Sequence, residues 1–219
     1  MPVYRRANRT IHHIHIPKCG GSSIGDLLEK NGWDKVRKTI PRHLEHEILG
    51  VNPTHHEHRN VWASWEISSE FQFAVIRNPY DRFDSKMRQS WAEENALREE
   101  PIKASKDQIL VIHPDVVSAI FADMGIQGVG LLDNHYRPQV DFIGPETEVY
   151  TIEDDIPGLL QDLIDKEIVE KSSVFPRVNS KSHLPVKILW DHPAFHDLHK
   201  QFKYLYGQDF HLFDYETRE

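Results

Sequence analysis

The sequence predicts an α/β fold, in which short strands lead through loops into helices. Residues 10–28 carry β-branched residues, then a proline and a glycine pair, then an apolar stripe at helical spacing. Residues 71–88 repeat this order of strand, loop and helix. The chain has 219 residues, of which 39% are hydrophobic and 27% charged, as is typical of a globular protein. Since no repeat, low-complexity tract or linker interrupts it, we expect one domain over residues 1–219.

The first of these stretches reads TIHHIHIPKCGGSSIGDLL. Its isoleucines favour a buried strand, Pro17 ends that strand, and the glycine pair permits backbone angles that a side chain would forbid. The two serines suit the N-terminus of the helix that follows. The apolar positions of the strand and of the helical stripe are Ile11, Ile14, Ile16, Ile24, Leu27 and Leu28.

The loop between this strand and its helix is predicted to bind an anion. Free backbone N–H groups and the positive end of the helix dipole point at one spot there. Lys18 adds a positive charge, and Ser22 and Ser23 add hydroxyl donors. A Walker A loop has its lysine after the second glycine, whereas Lys18 precedes the glycine pair. The loop is therefore predicted to be a different kind of phosphate cradle, and a Gly-rich turn with a solvated lysine is the alternative.

The second stretch, FQFAVIRNPYDRFDSKMR, also indicates a phosphate site. An apolar strand over residues 73–76 is followed by Arg77, and a helix begins at about Tyr80. Arginine suits this position because its planar guanidinium group binds two phosphate oxygens at once. A salt bridge at the strand end is the alternative for Arg77.

Further elements follow from apolar spacing and turn residues. Residues 140–143 and 149–152 are predicted as short strands, and residues 154–163 as a helix with Pro157 in its first turn. Within residues 109–124 an amphipathic helix is predicted after its start at His113-Pro114-Asp115. The glycines predicted to end it are Gly125, Gly128 and Gly130. The C-terminal segment has helical spacing at Leu198, Phe202 and Leu205, with Gly207 as the stop.

Together the two motifs resemble those of the sulfotransferases that use 3′-phosphoadenosine 5′-phosphosulfate (PAPS), particularly the carbohydrate and Golgi-type enzymes and their bacterial relatives. PKCGGSS is similar to the family's 5′-phosphosulfate loop, PK[TC]GG[ST][ST]. Residues 75–87 are similar to its 3′-phosphate signature, VxRxPxxRxxSxY, except at the last position, where Arg88 or its neighbours replace the aromatic residue. The resemblance covers most of the chain. It implies a P-loop-like three-layer α/β fold with a central, mainly parallel sheet flanked by helices.

The resemblance also implies the residues that bind PAPS and its product, 3′-phosphoadenosine 5′-phosphate (PAP). The implied nucleotide-binding residues are Lys18, Cys19, Gly20, Gly21, Ser22, Ser23, Arg77, Ser85, Arg177, Asn179 and Ser180. The loop residues would hold the 5′-phosphate, and Arg77 and Ser85 the 3′-phosphate. The last three stand in the family's C-terminal nucleotide loop, R-x-N-x-S, for which a plain surface loop is the alternative.

The implied reaction is transfer of a sulfuryl group to an acceptor hydroxyl, with a carbohydrate as the favoured acceptor. Lys18 would stabilise the leaving nucleotide. A histidine of the segment 43–58 would accept the acceptor's proton, because imidazole titrates near neutral pH. His55 and His56 are the preferred bases, and a solvated histidine-rich loop is the alternative. The other candidates in this segment are His43, Glu57 and His58.

The same resemblance extends to residues 135–139, which match the family's H-x-x-P-Q pattern. It implies that His135, Arg137 and Gln139 border the acceptor cleft. The alternative is that Gln139 caps a strand and that Arg137 pairs with an acid such as Asp141.

The amino-acid composition limits which partners the protein can bind and which cellular compartment it is expected in. A formal net charge of −8 argues against a nucleic-acid partner. The single cysteine excludes an intramolecular disulfide. No apolar run is long enough to span a bilayer, and the basic N-terminus lacks the apolar core of a secretory signal. We therefore expect a cytoplasmic protein without a transmembrane segment, with a Golgi enzyme trimmed of its anchor as the alternative.

Fifteen histidines raise the question of a metal site. Two clusters are candidates, one over residues 12–15 and one over residues 55–58. Strand alternation would place His13 and His15 on one face and His12 on the other. Neither cluster has CxxC or HExxH spacing, so we expect no metal.

Two other functions are compatible with a phosphate-binding α/β fold. A small-molecule or nucleotide kinase would need Walker A order and a carboxylate for Mg²⁺, and this chain lacks the first. A non-catalytic nucleotide-binding module would keep Arg77 and Ser85 without needing a base.

Overall fold

The computed structural model describes residues 2–37, 59, 68–99, 109–127, 134–176 and 186–218. They form two compact units. The first contains the described residues up to Arg77 and those of 134–176, and the second contains residues 78–99, 109–127 and 186–218. One domain over residues 1–219 stays a prediction. None of the helices in these ranges is long and apolar enough to cross a membrane.

The first unit is built on a five-stranded sheet. Its strands are β1 (Pro2–Arg6), β2 (Arg9–Ile14), β3 (Asp34–Arg37), β4 (Phe71–Ile76) and β6 (Glu148–Thr151). They lie in the order β3-β1-β2-β4-β6. Strands β2 and β4 are parallel, as are β4 and β6, whereas β1 is antiparallel to both β2 and β3, so β1 alone opposes the other four. A mixed α/β fold with a mostly parallel sheet is confirmed, while its P-loop-like, three-layer details stay a prediction.

The α-helices given for the described part of this unit are α1 (Gly21–Lys30) and α4 (Ile156–Asp165). Helix α1 buries the predicted apolar stripe of Ile24, Leu27 and Leu28. Helix α4 has Pro157 in its first turn, as predicted, and buries Leu159 and Leu163.

The register of the parallel strands brings the two predicted motifs to one edge of the sheet. Ile14 at the end of β2 pairs with Ala74 of β4. Pro17 and Arg77 each follow three residues later, so the loop after β2 and the arginine after β4 leave the sheet at the same level. In parallel sheets, ligands bind at this carboxyl edge of the strands.

The predicted strand over residues 140–143 is wrong. Residues Gln139–Phe142 form a 3₁₀ helix, with Pro138 before it and a bond from the Ile143 N–H to the Val140 carbonyl. Apolar alternation suggested a strand, but only Phe142 is fully buried, while Val140 and Ile143 are half-buried. Gln139 places a side-chain amide, rather than a strand backbone, beside the end of β4. The neighbouring prediction over residues 149–152 is confirmed by β6.

The second unit begins with helix α2 (Pro79–Ala96), whose N-terminus is capped by the side chain of Asn78 accepting from the Tyr80 N–H at 3.0 Å. A two-stranded parallel sheet joins β5 (Leu110–Val111) to β7 (Val186–Lys187). The remaining helices described there are α3 (Pro114–Gln127), a 3₁₀ helix (Pro193–Phe195), α5 (His196–Leu205) and α6 (Gly207–Leu212).

Aromatic rings form the core of this second unit. Phe202 stacks on Tyr80 with ring centroids 4.8 Å apart and contacts Trp190 at 4.5 Å. The predicted helix end at Gly125 is wrong, because Gly125 lies inside α3, although α3 begins at Pro114 as predicted. The predicted stop at Gly207 is confirmed, since α5 ends at Leu205 and α6 begins at Gly207.

Candidate functional site

The loop between β2 and α1 turns through two left-handed residues. Gly20 has φ 80° and Lys18 has φ 69°. Glycine adopts this conformation without strain, whereas a residue with a side chain loses about 1–2 kcal/mol in it. The carbonyl of Gly20 then accepts from the N–H groups of Ser23 at 2.9 Å and Ile24 at 3.2 Å, which begins the helix.

This turn leaves three consecutive N–H groups available at the start of α1. Those of Gly20, Gly21 and Ser22 donate no hydrogen bond to any residue that the structure describes. Ser22 is exposed, while Ser23 and Lys18 are half-buried. Consecutive backbone donors at a helix N-terminus, with an ammonium group on the same loop, fit a phosphate or sulfate group.

Gly21 is the point of closest packing in this loop. A Cβ atom added to Gly21 would lie 2.1 Å from Nε2 of His15. The His15 ring stacks on His13 with centroids 5.6 Å apart, and His13 stacks on Phe73 at 5.0 Å. The predicted shared face of His13 and His15 is therefore present. His15 flanks the loop, and its position two residues before Pro17 was the only sequence signal for that role.

Arg77 meets the same loop from the neighbouring strand. Its guanidinium Nη1 donates to the main-chain oxygen of Lys18 at 3.4 Å. The side chain is half-buried and follows directly after β4. The two predicted phosphate motifs are thus in direct contact.

Gln139 lies behind this contact and is completely buried. Its amide oxygen accepts from the Arg77 N–H at 2.9 Å and from the Cys19 thiol at 3.3 Å. Its amide nitrogen donates to the Arg77 carbonyl at 2.8 Å. Sequence reasoning placed Gln139 in an acceptor cleft and Cys19 in the loop, but it did not pair them.

The other residues predicted for the acceptor cleft lie on the same segment. Arg137 pairs with Asp141 at 3.1 Å and donates from Nε to Asn134 at 2.8 Å. His135 is half-buried. The contacts of the alternative interpretation, Arg137 with Asp141 and Gln139 against a strand end, are both present. A role for these side chains at an acceptor stays a prediction.

The remaining predicted site residues divide into two groups. Ser85 lies in α2 of the second unit and is half-buried. The others lie outside the described residues: His43, His55, His56, Glu57, His58, Arg177, Asn179 and Ser180. Their roles stay predictions.

The histidines of β2 are held neutral by burial. Desolvation lowers the pKa of His13 to about 3 and that of His12 to about 4, with the hydrogen bond from His12 to the Gln72 amide oxygen opposing the shift of His12. His12 Nδ1 lies 3.1 Å from the Gln72 amide oxygen. Within the described ranges, no group of three or more His, Cys, Asp or Glu side chains is arranged to hold a metal ion.

Comparison with known proteins agrees with this geometry. Residues 4–109 match the family model described as "Sulfotransferase family", a range that includes the loop of Lys18 and the strand end at Arg77. Comparisons with curated proteins and with solved structures found no significant match. The family match confirms the resemblance that the two motifs predicted, and residues 4–109 of this chain are similar to the sulfotransferase family.

Proposed function

We propose that this protein transfers a sulfuryl group from PAPS to an acceptor hydroxyl, with a carbohydrate as the acceptor class. The match of residues 4–109 to the sulfotransferase family model supports sulfuryl transfer in general. The observation that carries the proposal is the contact between Arg77 and the Lys18 carbonyl. It brings the guanidinium of Arg77, a group suited to bind phosphate, against a loop with three available N–H donors.

In this proposal the loop binds the 5′ end of the donor. The N–H groups of Gly20, Gly21 and Ser22 and the hydroxyls of Ser22 and Ser23 donate to the 5′-phosphate oxygens. Arg77 binds the 3′-phosphate, and Ser85, from the same signature, is proposed for that phosphate too. Cys19 contributes to this site as part of the loop backbone. The proposed C-terminal contribution comes from Arg177, Asn179 and Ser180.

The transfer step exchanges one sulfur–oxygen bond for another. The bond between sulfur and the bridging oxygen of the 5′-phosphate breaks, while the acceptor oxygen forms a new bond to sulfur. Lys18 and the loop N–H groups stabilise the negative charge that the leaving phosphate gains. His55 or His56 accepts the acceptor's proton, so the products are PAP and a sulfate ester.

Neither alternative function is proposed. Lys18 precedes the glycines, unlike the lysine of a Walker A loop, and the family match gives no support to a kinase. A non-catalytic binding module would bind PAP without turnover, so an activity assay with PAPS separates it from an enzyme.

The proposal is tested by thermal unfolding with PAP, AMP, or ATP with Mg²⁺. Ligands that bind the folded state raise its apparent stability by mass action. We expect PAP to raise the melting temperature of wild type most and to have little effect on Arg77→Ala. Lys30→Ala is the matched control, because it removes one exposed positive charge from the far end of α1.

Two results would contradict the proposal. One is a wild-type protein that is indifferent to PAP, and the other is a larger response to ATP with Mg²⁺ than to PAP. If PAP binds as expected, transfer from ³⁵S-labelled PAPS to a panel of oligosaccharides and other alcohols tests the carbohydrate assignment.

A further inference from the structure

We infer that Gln139 is a positioning residue of the nucleotide site, which holds the 3′-phosphate arginine and the 5′-phosphate loop in one arrangement. The inference rests on the proposed function and deepens it. It assigns to Gln139 an action through Arg77 and Cys19, in place of direct contact with an acceptor.

The first part of the evidence is the bond pattern at the end of β4. Gln139 accepts from the Arg77 N–H at 2.9 Å and donates to the Arg77 carbonyl at 2.8 Å. A neighbouring strand would make the same pair of bonds. On the β6 side the sheet ladder continues to Ile76, whose carbonyl accepts from the Ile152 N–H at 2.9 Å. The Gln139 side chain therefore orders the backbone for one residue beyond Ile76. That residue is Arg77, which carries the guanidinium.

The second part is the bond to the loop. The oxygen that accepts from Arg77 also accepts from the Cys19 thiol at 3.3 Å, and Cys19 is 2% exposed. Cys19 stands between Lys18 and Gly20, the residues that supply the ammonium group and the first available N–H. One amide group is thus bonded to both phosphate motifs. Without this amide, Arg77 and the loop of Cys19 would lose their shared hydrogen-bond partner and could move independently of each other.

The third part is the support of Gln139 itself. Its backbone lies in the 3₁₀ helix Gln139–Phe142, where the Phe142 side chain is fully buried. Arg137, two residues before Gln139, forms an ion pair with Asp141 of the same turn at 3.1 Å. The backbone that carries Gln139 is therefore held in place, and its amide can position Arg77.

At position 139, a side-chain amide supplies both the acceptor for the Arg77 N–H and the donor for the Arg77 carbonyl. A glutamate has no donor for the Arg77 carbonyl, and a methionine fills the volume without either bond. An unpaired buried backbone group is unfavourable, so Arg77 would shift to pair its own N–H and carbonyl elsewhere. The 3′-phosphate contact would be lost with that shift.

The test is a calorimetric measurement of PAP and AMP affinity, which isolates the 3′-phosphate. Gln139→Met keeps the volume and removes the bonds. We expect the preference of wild type for PAP over AMP to fall at least about tenfold, since a hydrogen bond to a charged group is involved. We expect Arg77→Ala to have the same effect and the double variant to lose no more than either alone.

Two variants of Cys19 test the loop side. Cys19→Ser keeps a donor for the Gln139 oxygen and should bind both nucleotides nearly as wild type does. Cys19→Ala removes the donor and should weaken PAP and AMP by similar factors, because the 5′-phosphate is common to both. Combined with Gln139→Met, Cys19→Ala should weaken AMP no further.

Trp33→Phe is the control that separates a general loss of stability from a loss of the positioning role of Gln139. Trp33 is buried in the same unit, and its Nε1 donates to the Ile168 carbonyl at 2.7 Å. This variant should lower the melting temperature without changing the PAP preference. If it lost the preference as Gln139→Met does, the positioning role would be overturned.

The remaining outcomes are equally distinct. A Gln139→Met protein with wild-type PAP preference overturns the inference and leaves the proposed function standing. A wild-type protein without PAP preference overturns the proposed function itself. If Gln139→Met does not fold, Gln139→Glu, which keeps shape and acceptor, is measured instead, and an unchanged preference there overturns the inference.

Discussion

The guanidinium of Arg77 donates to the main-chain oxygen of Lys18, although 59 residues separate the two in sequence. The parallel pairing of β2 with β4 explains the contact, because it brings both residues past the same sheet edge. Arg77 then has a second function besides any role at a phosphate, since it holds a loop residue that adopts a left-handed conformation. The site is consequently sensitive to changes in charge and in backbone geometry, and different variants separate the two effects.

Lys18→Ala and Lys18→Gly form a matched pair. Both remove the ammonium group, so we expect both to lower kcat by about 10²–10³-fold, as loss of one group that stabilises developing charge does. Their stabilities should differ. Glycine relieves the strain at φ 69°, so Lys18→Gly should be more stable than Lys18→Ala by about 1 kcal/mol in chemical denaturation. Turnover at the wild-type rate in either variant would remove Lys18 from the mechanism.

Gly21→Ala should disrupt the loop. The new Cβ would overlap the His15 ring at 2.1 Å, so ring or loop must move and the available N–H groups with it. We expect PAP binding measured by calorimetry to weaken at least about tenfold, the loss of one hydrogen bond to a charged group. Combining it with His15→Ala should restore part of the affinity by making room.

The matched control for Gly21→Ala is Gly158→Ala in α4, where an added Cβ meets nothing within 4 Å. It should leave PAP binding unchanged and stabilise the helix by up to about 1 kcal/mol. An unchanged PAP affinity in Gly21→Ala would show that the close approach to His15 is unimportant for binding.

The two buried histidines of β2 predict a loss of stability in mild acid. Burial lowers the pKa of His13 to about 3 and that of His12 to about 4, whereas histidine in the unfolded chain titrates near 6.5. Between these values the unfolded state binds more protons, so stability is full above about pH 6.5 and falls as the pH decreases. Each histidine should cost about 2 kcal/mol of unfolding free energy between pH 7 and pH 5.

Urea unfolding at several pH values measures this dependence. His13→Phe should remove about half of it, because phenylalanine keeps the stack on Phe73 and does not titrate. Replacement of the exposed His196 by Gln should leave the dependence unchanged. A wild-type protein equally stable at pH 5 and pH 7 would contradict burial of neutral imidazoles.

Asp84 predicts the opposite pH effect in the second unit. Burial raises its pKa to about 6, against partial compensation by Arg88 and Arg218. A raised carboxyl pKa destabilises the fold where the group is ionised, an effect complete above the folded pKa and absent below the unfolded value near 3.9. Asp84→Asn should therefore be more stable than wild type at pH 7, by up to about 3 kcal/mol, and equal to it near pH 3.5.

Chemical denaturation at the two pH values checks this, with the exposed Asp123→Asn in α3 as control. Equal stability of Asp84→Asn and wild type at pH 7 would mean that Asp84 carries no desolvation penalty.

Sequence reasoning predicted the local elements well where the signal was local. The strand before Pro17, the helix with the Ile24 stripe and the helix entered after Arg77 follow from side-chain spacing and from proline and glycine chemistry. It failed over residues 140–143, where apolar alternation was outweighed by the contacts that Gln139 makes elsewhere in the chain.

The alternation of strands and helices, the Gly-rich loop and the arginine at a strand end could be predicted from the amino-acid sequence, because each depends on neighbours within a few residues. Which of these groups meet depends on how the chain folds in three dimensions. Gln139 is 62 residues from Arg77 and 120 from Cys19, and His15 packs on Gly21 because a β-strand and a helix N-terminus converge. Such contacts depend on strand pairing and close packing, which leave no periodic mark in the sequence.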